Sequence, residues 1–291
     1  MKNRTCVRGV LTAGLLVSLA LLAPAADTDV NRSEDCAMCH EDVAEAFHAN
    51  PHGMVGAVSG QPGCVTCHGD GLEHMDEGGD PSLISSPTGQ AGAELCLQCH
   101  GDVHSMVSAR SAHGQVEVHC DTCHAMHSGQ DAPKPLLKQA PDTQCADCHR
   151  REARSFNRPF GHRLDRGGLQ CVTCHNPHGG HGRDNLVVTS RGDGPCIDCH
   201  SEKRGPFVFP HVSGMTGDCT SCHEPHGSSN PMALVRSRVD QLCLECHSPT
   251  GGGTLGSQPP AGHDVMSPRY RNCTVCHVAI HGSNSSPALL K

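Results

Sequence analysis

Ten Cys-x-x-Cys-His motifs divide this chain and take 20 of its 21 cysteines. Their first cysteines are Cys36, Cys64, Cys96, Cys120, Cys145, Cys171, Cys196, Cys219, Cys243 and Cys273; they number motifs 1 to 10 below. The pattern is the attachment signature of c-type haem. Residues i, i+3 and i+4 share one face of a helical turn, so both sulfurs and the imidazole can address one porphyrin. Zinc half-sites would not need a histidine directly after every second cysteine. A disulfide framework would not hold every pair at a spacing of three. The fold must therefore be built around ten c-type haems. Thioether bonds are expected at Cys36, Cys39, Cys64, Cys67, Cys96, Cys99, Cys120, Cys123, Cys145, Cys148, Cys171, Cys174, Cys196, Cys199, Cys219, Cys222, Cys243, Cys246, Cys273 and Cys276. Proximal iron ligands are expected at His40, His68, His100, His124, His149, His175, His200, His223, His247 and His277.

Composition reinforces this. The chain has no Trp, one Tyr and five Phe, against 33 Gly and 20 Pro. A chain this long normally buries a side-chain core, and this one lacks the large apolar residues for it. Such composition alone would suggest disorder. Ten covalent macrocycles reverse that, because they supply the apolar area and tie distant segments together. The expected fold is a multihaem cytochrome c: mostly loops with short α-helices around ten haems, negligible β structure, and an elongated haem wire. The apo-protein should be largely unfolded.

The N-terminus reads as an export signal over residues 1–25. Lys2, Arg4 and Arg8 precede an apolar run from Val10 to Leu22, and Ala23-Pro24-Ala25 resembles a cleavage site. Cys6 lies inside this segment. The apolar run is short for a membrane-spanning helix. Haem attachment outside the cytoplasmic membrane agrees with export, so the expected location is a bacterial periplasm. Beyond residue 25 the chain carries 19 basic and 30 acidic residues, a net −11. That balance disfavours nucleic acid as a partner.

The motifs alternate in kind. Odd-numbered ones follow helix-like stretches: a helix from Cys36 to Phe47 capped by Ser33-Glu34-Asp35, then Ala93 to Val107, Asp142 to Phe156 and Ser237 to His247. Even-numbered ones sit among Gly, Pro and Asn, as in Asn176-Pro177-His178-Gly179 and Glu224-Pro225-His226-Gly227, and read as single turns leading into loops. Taken in pairs, the motifs repeat at steps of 60, 49, 51 and 47 residues. One elongated domain over 26–291 is expected, of five di-haem modules at about 33–90, 91–140, 141–190, 191–238 and 239–291.

Fourteen histidines lie outside the motifs, and ten fall into register. His52, His113, His162, His211 and His263 follow odd motif histidines by 11 to 16 residues. His74, His127, His178, His226 and His281 follow even ones by 3 to 6. Ten distal ligands are what bis-histidine ligation of ten haems requires. A histidine three residues past a proximal ligand cannot round its own porphyrin, so His127, His178 and His226 should ligate neighbouring haems. Which haem each one serves is open at this stage. His48, His104, His119 and His181 are left over, with His48 competing with His52 and His119 with His113. Met54, Met75, Met106 and Met215 keep no fixed offset and read as packing residues rather than axial ligands.

The run CIDCHSEKRGPFVFPHVSGMTGDCTSCHEPHGSSNPMALVRSRVDQLCLECH from Cys196 to His247, with CTVCHVAIHGSN and CVTCHGDGLEH near the two ends, resembles the periplasmic decahaem cytochromes of the MtrA/DmsE type. The likeness covers essentially the whole mature chain. The stretch from Ser248 to Arg271 departs from the family pattern, so His263 rests on being the only histidine between His247 and His277. The resemblance implies a bis-His wire inside an outer-membrane β-barrel porin. It also implies an extracellular multihaem cytochrome or terminal reductase at one end and a periplasmic or inner-membrane cytochrome donor at the other. Electrons would cross the membrane with no substrate bond made or broken, so the chain would not be an enzyme. A polar, irregular backbone cannot face lipid, and the chain encodes no barrel of its own. The alternatives are a soluble periplasmic shuttle, a multihaem reductase with an open iron, and a cytochrome filament.

Overall fold

A computed structural model describes residues 30–59, 62–108, 111–129, 136–164, 168–179, 183–188, 194–211, 219–247, 263 and 267–291. The expected signal segment with Cys6, the Gly251–Gly253 stretch, His181 and the His104 side chain lie outside the described residues.

Every motif is one turn of helix. The motif histidine N–H bonds back to the carbonyl of the first cysteine, as in His124 to Cys120 at 2.9 Å and His223 to Cys219 at 3.0 Å. That i→i−4 bond puts both sulfurs and the imidazole on one face. Beyond these turns the chain is mostly loop. Among the described residues the longest helix is Gly89–Ser108. The two-stranded sheet pairs Phe209–Pro210 antiparallel with Gly282–Ser283. Among the described residues the only buried hydrophobic side chains are Ala44 and Leu136. Side chains therefore do not form the core, as the shortage of aromatic residues requires.

The helices around odd motifs are not continuous, which corrects the expected boundaries. Val30–Ala37 and Glu41–His48 are separate helices, divided by His40 at φ −115°, ψ 46°. Pro141–Cys148 and Arg150–Ser155 divide at His149 (φ −88°, ψ 50°), and His100 breaks the dihedrals inside Gly89–Ser108. The fourth expected helix is shorter than Ser237 to His247, running over Val239–Leu244. In each break the motif histidine is the hinge. A ligand imidazole must aim at the centre of a porphyrin held by the preceding turn, and a regular helix would carry it past.

Ser33 also differs from its expected role as a cap. It sits inside Val30–Ala37, is buried, and its hydroxyl accepts the Cys64 N–H at 3.3 Å. Asp142, three residues before Cys145 as Ser33 is before Cys36, accepts the Cys171 N–H at 2.8 Å. In the first and third modules a polar residue three before the odd motif thus secures the first turn of the following even motif. No helix among the described residues is long and apolar enough to cross a membrane.

Candidate haem-binding sites

Ten histidine ring pairs organise the molecule. Proximal His40, His68, His100, His124 and His149 face His74, His127, His52, His178 and His113. Proximal His175, His200, His223, His247 and His277 face His226, His162, His281, His211 and His263. Centroid separations run from 5.7 to 6.3 Å. A metal–imidazole bond is about 2.0 Å and the ring centre lies roughly 1 Å further back, so two axial imidazoles on one iron sit about 6 Å apart. The pairs match that spacing. Among the described residues no three His, Cys, Asp or Glu side chains converge on one point. Two axial imidazoles suit an iron whose other four ligands come from a porphyrin. They do not suit zinc, which takes four ligands here.

No distal histidine faces the motif it follows. His52, His113, His162 and His211 each reach forward to the next odd motif. His127, His178, His226 and His281 each reach back to the previous even motif. The ends close the pattern: His74 turns back onto motif 1, and His263 goes to motif 10. Following each segment to the motif it faces gives one closed circuit through all ten sites. One row runs up the odd motifs and the other returns down the even ones.

The rows are cross-tied beside the distal histidines. Asn50, 1% exposed, donates its amide to the Met126 carbonyl at 2.7 Å, joining the segments that carry His52 and His127. His113 Nδ1 donates to Pro177 and His162 Nδ1 to Pro225, both at 3.0 Å. Those carbonyls immediately precede His178 and His226. Phe160 and Ser228 exchange backbone hydrogen bonds, and the small sheet ties Phe209–Pro210 near His211 to Gly282–Ser283 next to His281.

Even motifs hold their histidines by a recurring loop. His175 Nδ1 donates to Asp184, His223 to Met232 and His277 to Ala288. The next residue of the loop, Asn185, Ala233 or Leu289, has φ near +52° to +56° and accepts the N–H of Asn176, Glu224 or Ala279, one or two residues after the histidine. Leu136 does the same for Ala125. A left-handed turn of one or two residues thus aims successive carbonyls toward one motif. A carbonyl only accepts, so Nδ1 carries the proton and Nε2 keeps its lone pair for iron. This outer contact was not read from sequence. Its partners are backbone atoms of unremarkable residues, and its only trace is a spacing of about ten residues.

Electrostatics favour the ligating form. Burial lowers the pKa of His52, His127, His211, His226 and His281, and a nearby motif imidazole lowers each further. Neutral imidazole is the form that binds metal. His48 meets Phe47 rather than another imidazole. His119 precedes the Cys120–Cys123 turn, its ring 3.8 Å from where a Cβ on Gly89 would stand.

The attachment cysteines fix the order of sites. Cys36 is a hydrogen-bond neighbour of Cys64, as are Cys96 of Cys120, Cys145 of Cys171, Cys196 of Cys219 and Cys243 of Cys273. Between modules, Cys67 lies near Cys96 and Cys99, Cys123 near Cys145 and Cys148, Cys174 near Cys196 and Cys199, and Cys222 near Cys243. All nine consecutive pairs of motifs are therefore spatial neighbours, in chain order. None of the twenty motif cysteines is in a disulfide.

Comparison with known proteins agrees with this chemistry. A family model for a doubled CXXCH motif matches residues 162–205 and 211–252. The multihaem cytochrome MtrA of Shewanella baltica is 31% identical over 87% of this chain and 78% of its own length. The chain belongs to the MtrA-type multihaem c-type cytochromes. More distant members of the comparison are the polyhaem cytochrome OmcB of Geobacter sulfurreducens, 24% identical over 69% of this chain but 27% of OmcB, and the c-type protein NrfB of Escherichia coli, 27% identical over 48% of this chain and 84% of NrfB. As an MtrA-type cytochrome the protein carries c-type haem and transfers electrons.

Proposed function

We propose that this MtrA-type cytochrome binds ten haems, each capped by the two histidines of one ring pair, and conducts electrons along them in chain order. The observation that carries the reading is the ring pairing: ten motif imidazoles, each opposed by a second imidazole at the spacing an iron needs. Bound haem supplies a one-electron iron couple. The polypeptide does the rest. Its cysteines would fix each macrocycle, the paired imidazoles would hold the iron between them, and its backbone carbonyls hold motif imidazoles in one tautomer. With both axial positions filled no iron is open to a substrate, which favours conduction over catalysis.

The path runs from the periplasm to the cell exterior inside an outer-membrane porin. An export-type N-terminus, a polar irregular backbone that lipid would not accept, and the family resemblance support this placement. Partners would be the porin, an outer cytochrome or reductase, and a periplasmic or inner-membrane donor. The five di-haem modules form one elongated domain. A second reading is a soluble periplasmic shuttle built on the same haems.

The test is co-reconstitution with the porin in liposomes loaded with reduced dye. Oxidation of the dye by an external, membrane-impermeant acceptor is expected only when both proteins are present. Correct assembly without transfer would overturn the conduit, and free monomer in periplasmic extracts would favour the shuttle.

A further inference from the structure

Charge is distributed very unevenly along the wire. Residues 26–129, which carry motifs 1 to 4, hold sixteen acidic and two basic residues. Residues 130–291, which carry motifs 5 to 10, hold fourteen acidic and seventeen basic residues. Because consecutive motifs adjoin in chain order, the asymmetry in sequence is an asymmetry in space. Around the first two motifs the acidic side chains face solvent. Glu41, Asp42 and Glu45 lie on the helix after His40, and Glu73, Asp76 and Glu77 lie beyond His68.

The change of sign falls at motif 5. The short helix Arg150–Ser155 leaves His149 directly, and Arg150, Arg151, Arg154 and Arg158 line an open groove of about 420 Å³ with Ser155. All four arginines are exposed. Two of them donate to backbone carbonyls, Arg150 to Asp147 and Arg158 to Gly227. No ion pair found among the described residues involves them.

Negative charge near a haem stabilises the ferric state and lowers its potential; positive charge raises it. We propose that the polypeptide's fixed charge divides the wire into a low-potential segment, haems 1 to 4, and a higher-potential segment, haems 5 to 10. The step lies at the arginine groove. The wire is then directional: an electron entering at the N-terminal end moves downhill toward the C-terminal end, and the reverse passage climbs the step. The idea rests on the reading of an ordered ten-haem wire and adds a polarity to it.

The test is a spectroscopic redox titration of the purified, fully haem-loaded protein and two charge reversals. Glu41→Lys/Asp42→Lys/Glu45→Lys should raise the lowest-potential components and leave the upper ones in place. Arg150→Glu/Arg151→Glu/Arg154→Glu should lower the upper components; Arg158 is kept because it ties the two rows. Each change should alter the oxidised-to-reduced ratio of the affected haems about tenfold at fixed potential, equivalent to about 59 mV for a one-electron couple. Raising the salt concentration should compress the whole titration by screening. Removing haem 1 with Cys36→Ala/Cys39→Ala should delete a low-potential component, and removing haem 9 with Cys243→Ala/Cys246→Ala a high-potential one. Should a haem-deletion variant fail to fold, the charge reversals decide. If both reversals move the same part of the titration, or neither moves any part, the polarity is overturned. Haem mass and low-spin spectra report separately on the ten-haem wire, so its failure would be recognised as such.

Discussion

The two rows of haem sites solve the same problem in opposite ways. In the odd row the motif histidine breaks a helix, as at His40 and His149, and a second histidine 11 to 16 residues on faces the motif histidine of the next odd site, or that of motif 10 at the end. In the even row the motif histidine is clamped by a loop that returns to it, and a second histidine 3 to 6 residues on faces a motif histidine behind it. The ring geometry differs accordingly. Distal histidines from odd motifs meet their partners at interplanar angles of 28° to 88°. Four of the five from even motifs lie within 23° of parallel. A short tether and a fixed loop set one imidazole relative to the other. A long tether leaves orientation to whatever the following module dictates.

The most severe way to break this arrangement is to remove a distal ligand. His178→Ala should convert one haem to high spin, measured by EPR. In a background lacking haem 4 (Cys120→Ala/Cys123→Ala) the same change should add no further high-spin signal, because His178 faces His124. In a background lacking haem 6 it should still add one. Equal signals in both backgrounds would sink the pairing.

Next is the tie between rows at Gly227. Its φ is +119°, and a Cβ there would stand 2.3 Å from the Ser155 carbonyl oxygen. Gly227→Ala should cost more than about 1 kcal/mol, from strain and displaced backbone together. Thermal melting of the holoprotein would measure it, with the haems on His226 and His162 the first perturbed. An unchanged melt would mean the tie carries little.

Two small substitutions should have opposite signs in the two rows. Ala233→Gly relieves a left-handed alanine in an even-row loop (φ +53°) and should stabilise by about 1 kcal/mol. Ala153→Gly, inside the odd-row helix Arg150–Ser155, should destabilise by about 1 kcal/mol. The same sign for both in denaturant titration would deny the difference between the rows.

The smallest effect concerns Asp240, three residues before Cys243. Hydrogen bonds from Arg238 hold its carboxyl below the usual range. A carboxylate whose folded pKa is depressed stabilises the protein above its unfolded pKa, near about 3.9, and loses that contribution as pH falls through the folded value. Asp240→Asn should therefore be slightly less stable than the parent at neutral pH and should match it in strong acid. A gap that persists in acid would assign the loss to packing instead.

Much of this was open to reading because haem attachment needs particular side chains at fixed spacing. Motif turns, the alternation of two classes and the register of ten further histidines all follow from residue identity. The sequence around Cys36 predicts a continuous helix because helix propensity does not register a side chain that must turn out of the helix at His40. The clamp on His223 was invisible because its acceptor is the Met232 carbonyl, and a backbone oxygen leaves no signature in side-chain identity. His48 competes with the in-register His52 in the sequence, and the position of His100 decides for His52.

By itself, then, the sequence determined the chemistry: ten C-x-x-C-H turns, too few aromatic side chains for any other core, and a charge balance that changes sign between motifs 4 and 5. Tertiary structure decided the connections. Which imidazole faces which, in one row up and one row back, depends on contacts such as His113 to Pro177 and His162 to Pro225, 64 and 63 residues apart. Local spacing cannot encode such contacts, because they exist only once separate modules have packed against one another.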